Sequence, residues 1–324
     1  MKRRATFDPR PTQYQIGYPR RLDINNFLAA LSYKEKPCSF QTHLSILYED
    51  FSYCPEHLAI LREQRSLLYE SIEELHHNLK PTEDYSGSLE VTGTEGQSEN
   101  ERWHVIRGIH ATSSPCRQIR QFRTGSGRLG FLRRHMWQIG NVRTKQMSYG
   151  IKSETKARKA YIKLKRKKDN SLNVRETGVH LHTKYVGLSC SHDGWVTSLK
   201  RKPRVMEIKC PYSLRDSHPK NFDKALKKRS LSMFCLKRDE SGKIKLKKEH
   251  AYYDQVQMEM AMTEATKCEF VVWSRKGMVC LVIPFDEGRW DQVRMSLTKF
   301  HWEYMAPEYF AHRTPRNLEP VQLQ

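Results

Sequence analysis

The sequence predicts an α/β domain with a mixed β-sheet. Two kinds of pattern follow residue 100: apolar residues at intervals of three and four, typical of amphipathic helices, and short alternating or apolar runs, typical of strands. They come in the order helix, three strands, helix, two strands, helix, which indicates a sheet with helices packed against it. Since no segment repeats at a fixed period, we expect neither a solenoid nor a propeller.

The predicted elements follow one another closely. A helix is predicted to start at 101, followed by a Ser/Thr segment, 111–114, and an amphipathic region to about 137. Further helices are predicted at about 148–166, 252–266 and 286–304. Strands are predicted at about 179–188, 195–199, 205–210, 269–274 and 278–285. Two basic turns, residues 200–203 and 275–277, are expected to join strands into hairpins.

The first hundred residues differ from the rest in pattern. Residues 1–80 are predicted to be a helical N-terminal extension, with leucines such as Leu58 and Leu61 spaced among charged residues. Residues 81–100, rich in Gly, Ser, Thr and Glu, are predicted to be a polar linker. The main domain is expected to span 101–310, followed by a C-terminal tail, 311–324.

Charge is distributed unevenly along the chain. Residues 1–100 hold 11 Lys+Arg against 15 Asp+Glu, a net charge of −4, whereas residues 101–324 hold 46 against 21, a net charge of +25. So positive a domain attracts polyanions, of which DNA and RNA are the commonest. A generic basic protein or an acidic-lipid binder is the alternative. A Lys-rich stretch, 213–249, shows few apolar residues and is predicted to be an insertion over the nucleic-acid side.

Cysteine usage and hydropathy bear on the compartment. The eight cysteines form neither a Cys-x-x-Cys pair nor a compact framework, which favours a reduced, intracellular protein. We expect neither a membrane span nor a secretory signal, because no apolar stretch reaches 18 residues. The run 165–168, Lys-Arg-Lys-Lys, is either a nuclear-import signal in a eukaryote or the basic end of a helix, and otherwise we expect a cytoplasmic protein.

The segment 204–210 is the centre of the candidate site. In a strand of period 2, Met206, Ile208 and Cys210 face one side, while Glu207 and Lys209 face the other. Asp193 lies in an Asp-Gly turn before the preceding strand, so a hairpin can bring it beside Glu207. Two carboxylates and an ammonium group in this layout are typical of a metal-dependent nuclease. Alone, Glu-x-Lys more often marks a solvated strand face, and Asp-Gly a common turn.

Phosphodiester hydrolysis gives each of these residues a role. Hard divalent ions such as Mg²⁺, with Mn²⁺ as the expected substitute, are held by oxygen ligands. We expect the carboxylates of Asp193 and Glu207 and the carbonyl of Ile208 to hold the ion. Lys209 would orient or deprotonate the attacking water.

Two helical residues complete the predicted site. Glu154 lies in the apolar stripe Ile151, Glu154, Ala157, Tyr161, Leu164, where a buried carboxylate requires a cation. Either it binds the same ion through water or binds a second ion, or it pairs with a nearby Lys or Arg. Gln255 is expected to hydrogen-bond the lysine or a water.

Beyond these motifs, the sequence resembles the YqaJ-like viral recombinase and lambda-type alkaline exonuclease family of the PD-(D/E)xK nuclease superfamily. The likeness covers about two thirds of the chain, roughly 102–310. It rests on ordered blocks at 102–107, 111–113, 149–154, 191–194, 207–211, 253–257 and 270–273.

The resemblance implies a restriction-endonuclease-like fold, Mg²⁺ dependence and 5′-to-3′ digestion of double-stranded DNA ends, often beside a single-strand annealing partner. It assigns metal ligation to Asp193 and Glu207, the catalytic lysine to Lys209, and supporting roles to Glu154 and Gln255. Some members assemble as toroidal trimers, so a homo-oligomer is a further expectation. This chain has His192 where the family usually has proline; because proline there shapes the turn and touches no metal, we expect the change to be tolerated as long as Asp193 keeps its position.

Candidate DNA contacts lie before the site. Phosphate contacts are expected from basic side chains and, by resemblance, from a Thr/Ser pair; these residues are Arg107, Arg117, Arg120, Arg123, Thr112 and Ser113. Three functions compete: an active deoxyribonuclease, an inactive nuclease-fold protein that binds DNA, and an RNA-binding or structural protein. The intact pair of carboxylates favours the first, because carboxylates repel phosphate unless a cation accompanies them.

Overall fold

The structure is a computed structural model, and it describes residues 87–122, 125–140, 142–182, 184–185, 187–311, 313–316 and 318–320. The predicted helical extension, 1–80, lies outside the described residues, as do residues 81–86 of the predicted linker and 321–324 of the predicted tail.

Helices and strands alternate along the described chain, as predicted. The helices are α1 (Glu101–Gly108), α2 (Cys116–Arg120), α3 (Gly125–Trp137), α4 (Lys145–Arg166), α5 (Phe222–Ala225), α6 (Lys228–Met233), α7 (Ala251–Met262), α8 (Glu287–Phe300) and α9 (Ala306–Ala311). The strands are β1 (Ser88–Val91), β2 (Ala111–Thr112), β3 (Asn173–Arg175), β4 (Val179–His182), β5 (Leu188–Ser189), β6 (Gly194–Ser198), β7 (Arg201–Lys209), β8 (Leu236–Arg238), β9 (Ile244–Leu246), β10 (Lys267–Ser274) and β11 (Gly277–Pro284).

A five-stranded mixed sheet organises the domain, in the order β11-β10-β7-β6-β3. β7 and β10 run parallel, whereas the other neighbours are antiparallel. A parallel pair needs a long crossover, which the insertion and α7 provide. The predicted mixed sheet flanked by helices is confirmed.

Each face of the sheet is covered by helix. On one face, Ala157 and Tyr161 of α4 pack with Met206, Ile208 and Val271. On the other, α7 packs Val256 and Met260 against Val205, Phe270 and Val272, among other residues. The alternation predicted for β7 is therefore confirmed, and it directs Glu207 and Lys209 towards α7. In α4, the predicted stripe is wrong at Leu164, which is 46% exposed.

One buried carboxylate stabilises the sheet away from the candidate site. Glu269, in β10, is 0% exposed and accepts hydrogen bonds from Arg204 Nη1 at 2.7 Å and Lys165 Nζ at 3.3 Å. Arg201 Nη1 lies 3.8 Å from the same carboxylate. A buried charge with several cationic partners avoids the desolvation cost of an isolated one. This cluster links α4 to β7 and β10.

The linker prediction is wrong for part of its range. Ser88–Val91 forms β1, which pairs antiparallel with β4. Its Glu90 accepts hydrogen bonds from Arg175 Nη2 at 2.7 Å and from the Gly178 amide at 2.8 Å. The strand thus depends on partners almost ninety residues away, which a short polar sequence does not reveal.

The single strand predicted at 179–188 is also wrong, because two short strands, β4 and β5, replace it. The break contains Gly187, whose φ of +81° favours glycine. A Cβ there would lie 2.3 Å from His301 Cδ2, so a side chain is excluded. The chain therefore turns here and presents β5 to β2.

The first hairpin is tighter than predicted. We expected a turn at 200–203, but Ser198 pairs directly with Arg201, and β7 begins there. The register shifts between Val196 and Ser198, which places an irregularity beside Pro203. Proline lacks the N–H that a regular ladder needs, so it fits at such a position.

The Lys-rich insertion contributes to the core, contrary to the prediction from its composition. Leu214, Phe222, Cys235, Leu236 and Leu246 are buried with α7 and the sheet. Few apolar residues are present, but the fold buries those that are. The insertion is therefore an integral layer of the domain.

The structure bears on membrane crossing and on the state of the cysteines. Within the described ranges, no helix combines the length and apolar character that a membrane crossing requires. The cysteines in those ranges are free thiols, and five of them are buried.

Replacing Leu236 tests the role of the insertion in stability. Leu236 is 0% exposed, so Leu236→Ala is expected to lower the free energy of unfolding by about 2–5 kcal/mol. Met233, in the same insertion, is 73% exposed, so Met233→Ala should change it by no more than about 0.5 kcal/mol. Urea denaturation of both variants measures this. Equal, small effects would show that the insertion is peripheral.

Candidate active site

Asp193 is fixed to β7 by two hydrogen bonds. Its amide donates to the Met206 carbonyl at 3.0 Å, and its Oδ2 accepts from the Ile208 amide at 2.6 Å. Gly194, the next residue, is paired with Met206 in the β6–β7 ladder. The hairpin thus places Asp193 next to Glu207, as predicted. Ile208 meets Asp193 through its N–H; the metal contact of its carbonyl stays a prediction.

Glu207 lies at the centre of a buried hydrogen-bond network. Its side chain is 3% exposed, and its Oε1 accepts from Lys209 Nζ at 2.5 Å and from Gln255 Nε2 at 2.6 Å. Its Oε2 is buried and has no hydrogen-bond partner among the described residues. Glu207 and Lys209 are therefore brought together as the sequence predicted, whereas Gln255 joins them through Glu207 and not through the expected hydrogen bond to the lysine or a water.

Glu259 extends the network and was not predicted. Gln255 Nε2 also donates to Glu259 Oε1 at 2.8 Å, and Ser113 Oγ donates to the same oxygen at 3.1 Å. Glu259 is 0% exposed. It lies four residues after Gln255 on α7, so the two side chains share a helix face. That spacing was the available signal, but α7 is buried on all sides and shows no distinct polar face.

Burial and like charge dominate the electrostatics. Burial, followed by the charges of Glu207 and Glu154, raises the pKa of Asp193 well above its ordinary value. Burial and Glu207 likewise raise the pKa of Glu154 and of Glu259. Several carboxyls therefore resist ionising together, and a cation among them would relieve the repulsion.

Lys209 is the nearby positive charge. Burial alone would lower its pKa, but the opposing effects of Glu207, Tyr252 and Asp193 prevail and raise it. Its Nζ lies 4.4 Å from the centre of the Tyr252 ring, a cation–π contact that the sequence did not indicate. Lys209 is therefore held in its ammonium form at neutral pH.

Glu154 lies half-buried on α4. It forms no ion pair with any residue in the described ranges, so the alternative of a Glu paired with a basic neighbour is not observed. Burial is the largest cause of its raised pKa, and the charge of Glu207 is the second largest. Glu154 is thus electrostatically coupled to the network without a hydrogen bond to it.

The donor set suits a hard divalent ion in chemical type. Asp193, Glu207 and Glu154 offer carboxylate oxygens, and Glu207 Oε2 is a buried acceptor that lacks a described donor. However, no group of three or more His, Cys, Asp or Glu residues in the described chain is already arranged to hold a metal. Lys209 and Gln255 both donate to Oε1 of Glu207, so Oε2 is the oxygen of this carboxylate that remains for an ion.

His192 replaces proline without loosening the turn. It is 0% exposed, its Nδ1 lies 2.9 Å from the Gly194 carbonyl, and its ring stacks on His180 at 4.9 Å. Its own carbonyl accepts from Thr177 Oγ1 at 2.7 Å and from Gln97 Nε2 at 3.0 Å. These hydrogen bonds fix the backbone before Asp193 in place of a proline ring.

The Thr/Ser candidates for DNA contact do not reach the surface. Thr112 and Ser113 are both 0% exposed, because β2 packs inside the domain. Ser113 instead supports Glu259.

The arginine candidates differ in environment. Arg107 lies over the Trp103 ring at 4.2 Å, and burial lowers its pKa to about 10. Arg117 and Arg120 line a surface cavity near α7. Arg123 lies outside the described residues.

Comparison with known proteins identifies the family. Residues 100–266, just over half of the chain, match the YqaJ-like viral recombinase domain. The chain belongs to this family, as its sequence blocks predicted. No curated protein matches the sequence.

Solved structures give weaker likenesses. The alkaline exonuclease LHK-Exo from Laribacter hongkongensis is 20% identical, with a TM-score of 0.47, over 67% of this chain and 98% of that chain. Its complex with dAMP gives 19% identity and a TM-score of 0.48 over the same shares. A phage-related exonuclease from Haemophilus somnus 129PT is 14% identical, with a TM-score of 0.38, over 63% of this chain and 94% of that chain.

The pH dependence of stability tests the buried network. The pKa of Glu259 is raised in the folded protein. Above the ordinary pKa of 4.5, the folded protein therefore keeps a proton that the unfolded chain has released. The contribution of Glu259 to the free energy of unfolding falls as pH rises through this range. Glu259→Gln removes this loss. In EDTA, the variant is expected to gain stability relative to wild type as pH rises above 4.5.

Denaturant unfolding at several pH values measures that difference. Glu240, an exposed residue, supplies the control: Glu240→Gln should show no comparable trend. A difference between Glu259→Gln and wild type that stays constant with pH would contradict the assigned repulsion.

Proposed function

We propose that the protein is a metal-dependent deoxyribonuclease, a 5′-to-3′ exonuclease on double-stranded DNA ends that serves recombination or viral and mobile-element DNA processing. The observation that carries this proposal is the joint attachment of Lys209 and Gln255 to Glu207, with Asp193 tied to the neighbouring backbone. Membership of the YqaJ-like family and the charge of +25 on residues 101–324 support it.

The site contains more than DNA binding requires. A protein that only binds DNA gains nothing from buried carboxylates facing a phosphate backbone. Here Asp193, Glu207 and Glu154 act on one another electrostatically beside a single lysine. This arrangement favours a hydrolytic site over the alternative of an inactive DNA-binding protein.

Mg²⁺ is the proposed cofactor, with Mn²⁺ as a substitute. Asp193 and Glu207 would hold it through their carboxylates and Ile208 through its carbonyl, with Glu154 as a further or water-mediated ligand. When bound, such an ion supplies Lewis-acid activation and charge neutralisation. A single-strand annealing partner, a homo-oligomer and an intracellular, in eukaryotes nuclear, location are further proposals from the family resemblance and composition.

The protein side chains have separate tasks. Lys209, protonated at neutral pH, would donate a hydrogen bond to the attacking water and stabilise the developing negative charge. Gln255 holds the carboxylate of Glu207 in place and joins it to Glu259. Orientation and charge stabilisation are roles that an ammonium group can perform, and Lys209 Nζ already donates a hydrogen bond to Glu207.

End-dependent hydrolysis can be tested with linear and circular duplexes. With Mg²⁺, the protein is expected to digest a linear duplex from its 5′ ends and to leave a covalently closed circle intact. Labelling each strand separately reports the polarity, and EDTA should abolish digestion. Cleavage in EDTA would refute the metal proposal, and nicking of the circle would refute the exonuclease proposal. Binding without any cleavage would favour the inactive alternative.

Replacing the lysine tests its assigned role. Lys209→Ala is expected to lower kcat by about 10²–10⁴-fold, because charge stabilisation and water orientation are lost. DNA binding in EDTA should stay within about threefold, since many other cations contact phosphate. Lys202, exposed on the same strand, gives the matched control, Lys202→Ala. A Lys209→Ala variant with normal kcat would overturn the assignment.

A further inference from the structure

A basic cavity lies near the start of α7, the helix that carries Gln255. It has a volume of about 320 Å³ and is lined by residues of α2, the segment before α7 and the first turn of α8. The lining residues are Arg117, Arg120, Gln121, Lys248, Glu249 and Arg289. Four of these six side chains are cationic, and one is acidic. We call this cavity the arginine pocket.

A buried aspartate organises two of its arginines. Asp254 is 0% exposed; its Oδ2 accepts from Arg120 Nη1 at 2.7 Å, and its Oδ1 accepts from Arg289 Nε at 2.5 Å. One carboxylate thus holds two guanidinium groups from different helices. Arg120 donates one N–H to Asp254, and Arg289 donates to Asp254 and, through Nη2, to the Lys248 carbonyl at 3.3 Å. A guanidinium group carries five N–H donors, so each arginine keeps others for a ligand.

The remaining charges leave the pocket a net attraction for anions. Lys248 pairs with Asp286 at 3.1 Å, whereas Arg117 has no ion-pair partner within the described ranges. Asp254 and Glu249 carry two negative charges against the three positive charges of Arg117, Arg120 and Arg289, which leaves a net charge of +1. Planar, fixed guanidinium groups are well suited to binding phosphate through two parallel hydrogen bonds.

The pocket adjoins the reaction centre through α7. Asp254 and Gln255 are consecutive residues: the first holds the two arginines, and the second donates to Glu207. His250, at the start of α7, has its pKa lowered by burial and by Arg117, Lys247 and Lys209, so the pocket and the lysine both act on one imidazole. The His250 and Tyr252 ring centres lie 4.5 Å apart, and Lys209 Nζ lies 4.4 Å from the Tyr252 ring centre, so the start of α7 connects the pocket to Lys209.

We propose that the arginine pocket binds one phosphate group of the DNA substrate beside the scissile linkage, and that Asp254 is a positioning residue that orients Arg120 and Arg289 for it. This inference rests on the proposed nuclease function. It goes beyond the phosphate contacts expected of Arg117 and Arg120, because it adds Arg289 and gives Asp254 a role in orienting two of the arginines. The ligand chemistry is a phosphate oxyanion, either a 5′-terminal phosphomonoester or an internal phosphodiester.

Binding without cleavage provides the first test. Affinity for a short 5′-phosphorylated duplex is measured in EDTA by fluorescence anisotropy over a range of salt concentrations. Arg117→Ala and Arg289→Gln are each expected to raise Kd about tenfold and to reduce the salt dependence by about one phosphate contact. Arg294→Ala removes a more exposed arginine of the same helix outside the pocket and should change Kd by less than about twofold.

Asp254→Asn separates positioning from charge. The substitution removes a negative charge, so general electrostatic attraction alone predicts tighter binding. Loss of positioning predicts the opposite, a Kd that rises about tenfold, with KM raised far more than kcat in cleavage. Tighter or unchanged binding by a folded variant would overturn the role of Asp254. Circular dichroism and thermal unfolding establish whether the variant is folded.

Modified DNA keeps the proposal testable even if Asp254→Asn fails to fold. Neutral methylphosphonates are placed one at a time along the strand, and a 5′-hydroxyl duplex is compared with the 5′-phosphate. Neutralising or removing one particular phosphate should lower the affinity of the wild type about tenfold but should leave the affinity of Arg289→Gln almost unchanged. If that group is the 5′ phosphate, the ligand is the terminus; if it is a methylphosphonate position, the ligand is internal. Absence of any such coupled position would refute the pocket.

These outcomes are independent of hydrolysis. If one phosphate position depends on Arg289 but the protein never cleaves DNA, the pocket proposal stands and the nuclease proposal is refuted. If the protein cleaves DNA from its ends but no position depends on Arg289, the nuclease proposal stands and the pocket proposal is refuted.

Discussion

The hydrogen bond from the Ile208 amide to Asp193 determines the geometry of the candidate site. It joins the turn before β6 to the strand that carries Glu207 and Lys209, at a distance of 2.6 Å. Because β7 alternates, the same backbone that accommodates Asp193 directs Glu207 and Lys209 towards α7 and buries Met206 and Ile208 under α4. A slip of one residue would exchange these faces and dismantle both the site and the core.

Burial gives the site its chemistry at a cost in stability. Asp193, Glu154 and Glu259 all have raised pKa values, and in each case burial is the largest cause. The network retains carboxylates that an optimised core would exclude. Part of the cost is offset by hydrogen bonds to Glu207 and Glu259 from Lys209, Gln255 and Ser113. Conflict between local stability and polar chemistry is typical of functional sites.

Local patterns predicted the parts of the fold that depend on local sequence. The alternation of β7 and the hairpin with β6 placed Asp193, Glu207 and Lys209 together, because period and turn chemistry suffice for that inference. Gln255 was expected at the site from its place on a helix, but its partners, Glu207 and Glu259, were not predicted. Glu259 and Asp254 escaped prediction because α7 is buried almost throughout, so no polar face distinguishes their positions. The burial of Thr112 and Ser113 and the pairing of β1 with β4 depend on distant partners that no short window contains.

The parallel pairing of β7 with β10 has a consequence for how the molecule is made. Cys268 lies opposite Val205, so this contact forms only after the whole intervening stretch of chain has been gathered between them. Loops that long close slowly, and their entropy is recovered only when the final strands meet. The side chains of the candidate site come from the chain before this crossover, from Ser113 to Lys209, and from α7 within it, which carries Gln255 and Glu259. An incompletely folded or newly synthesised chain therefore lacks the assembled site until tertiary structure is nearly finished.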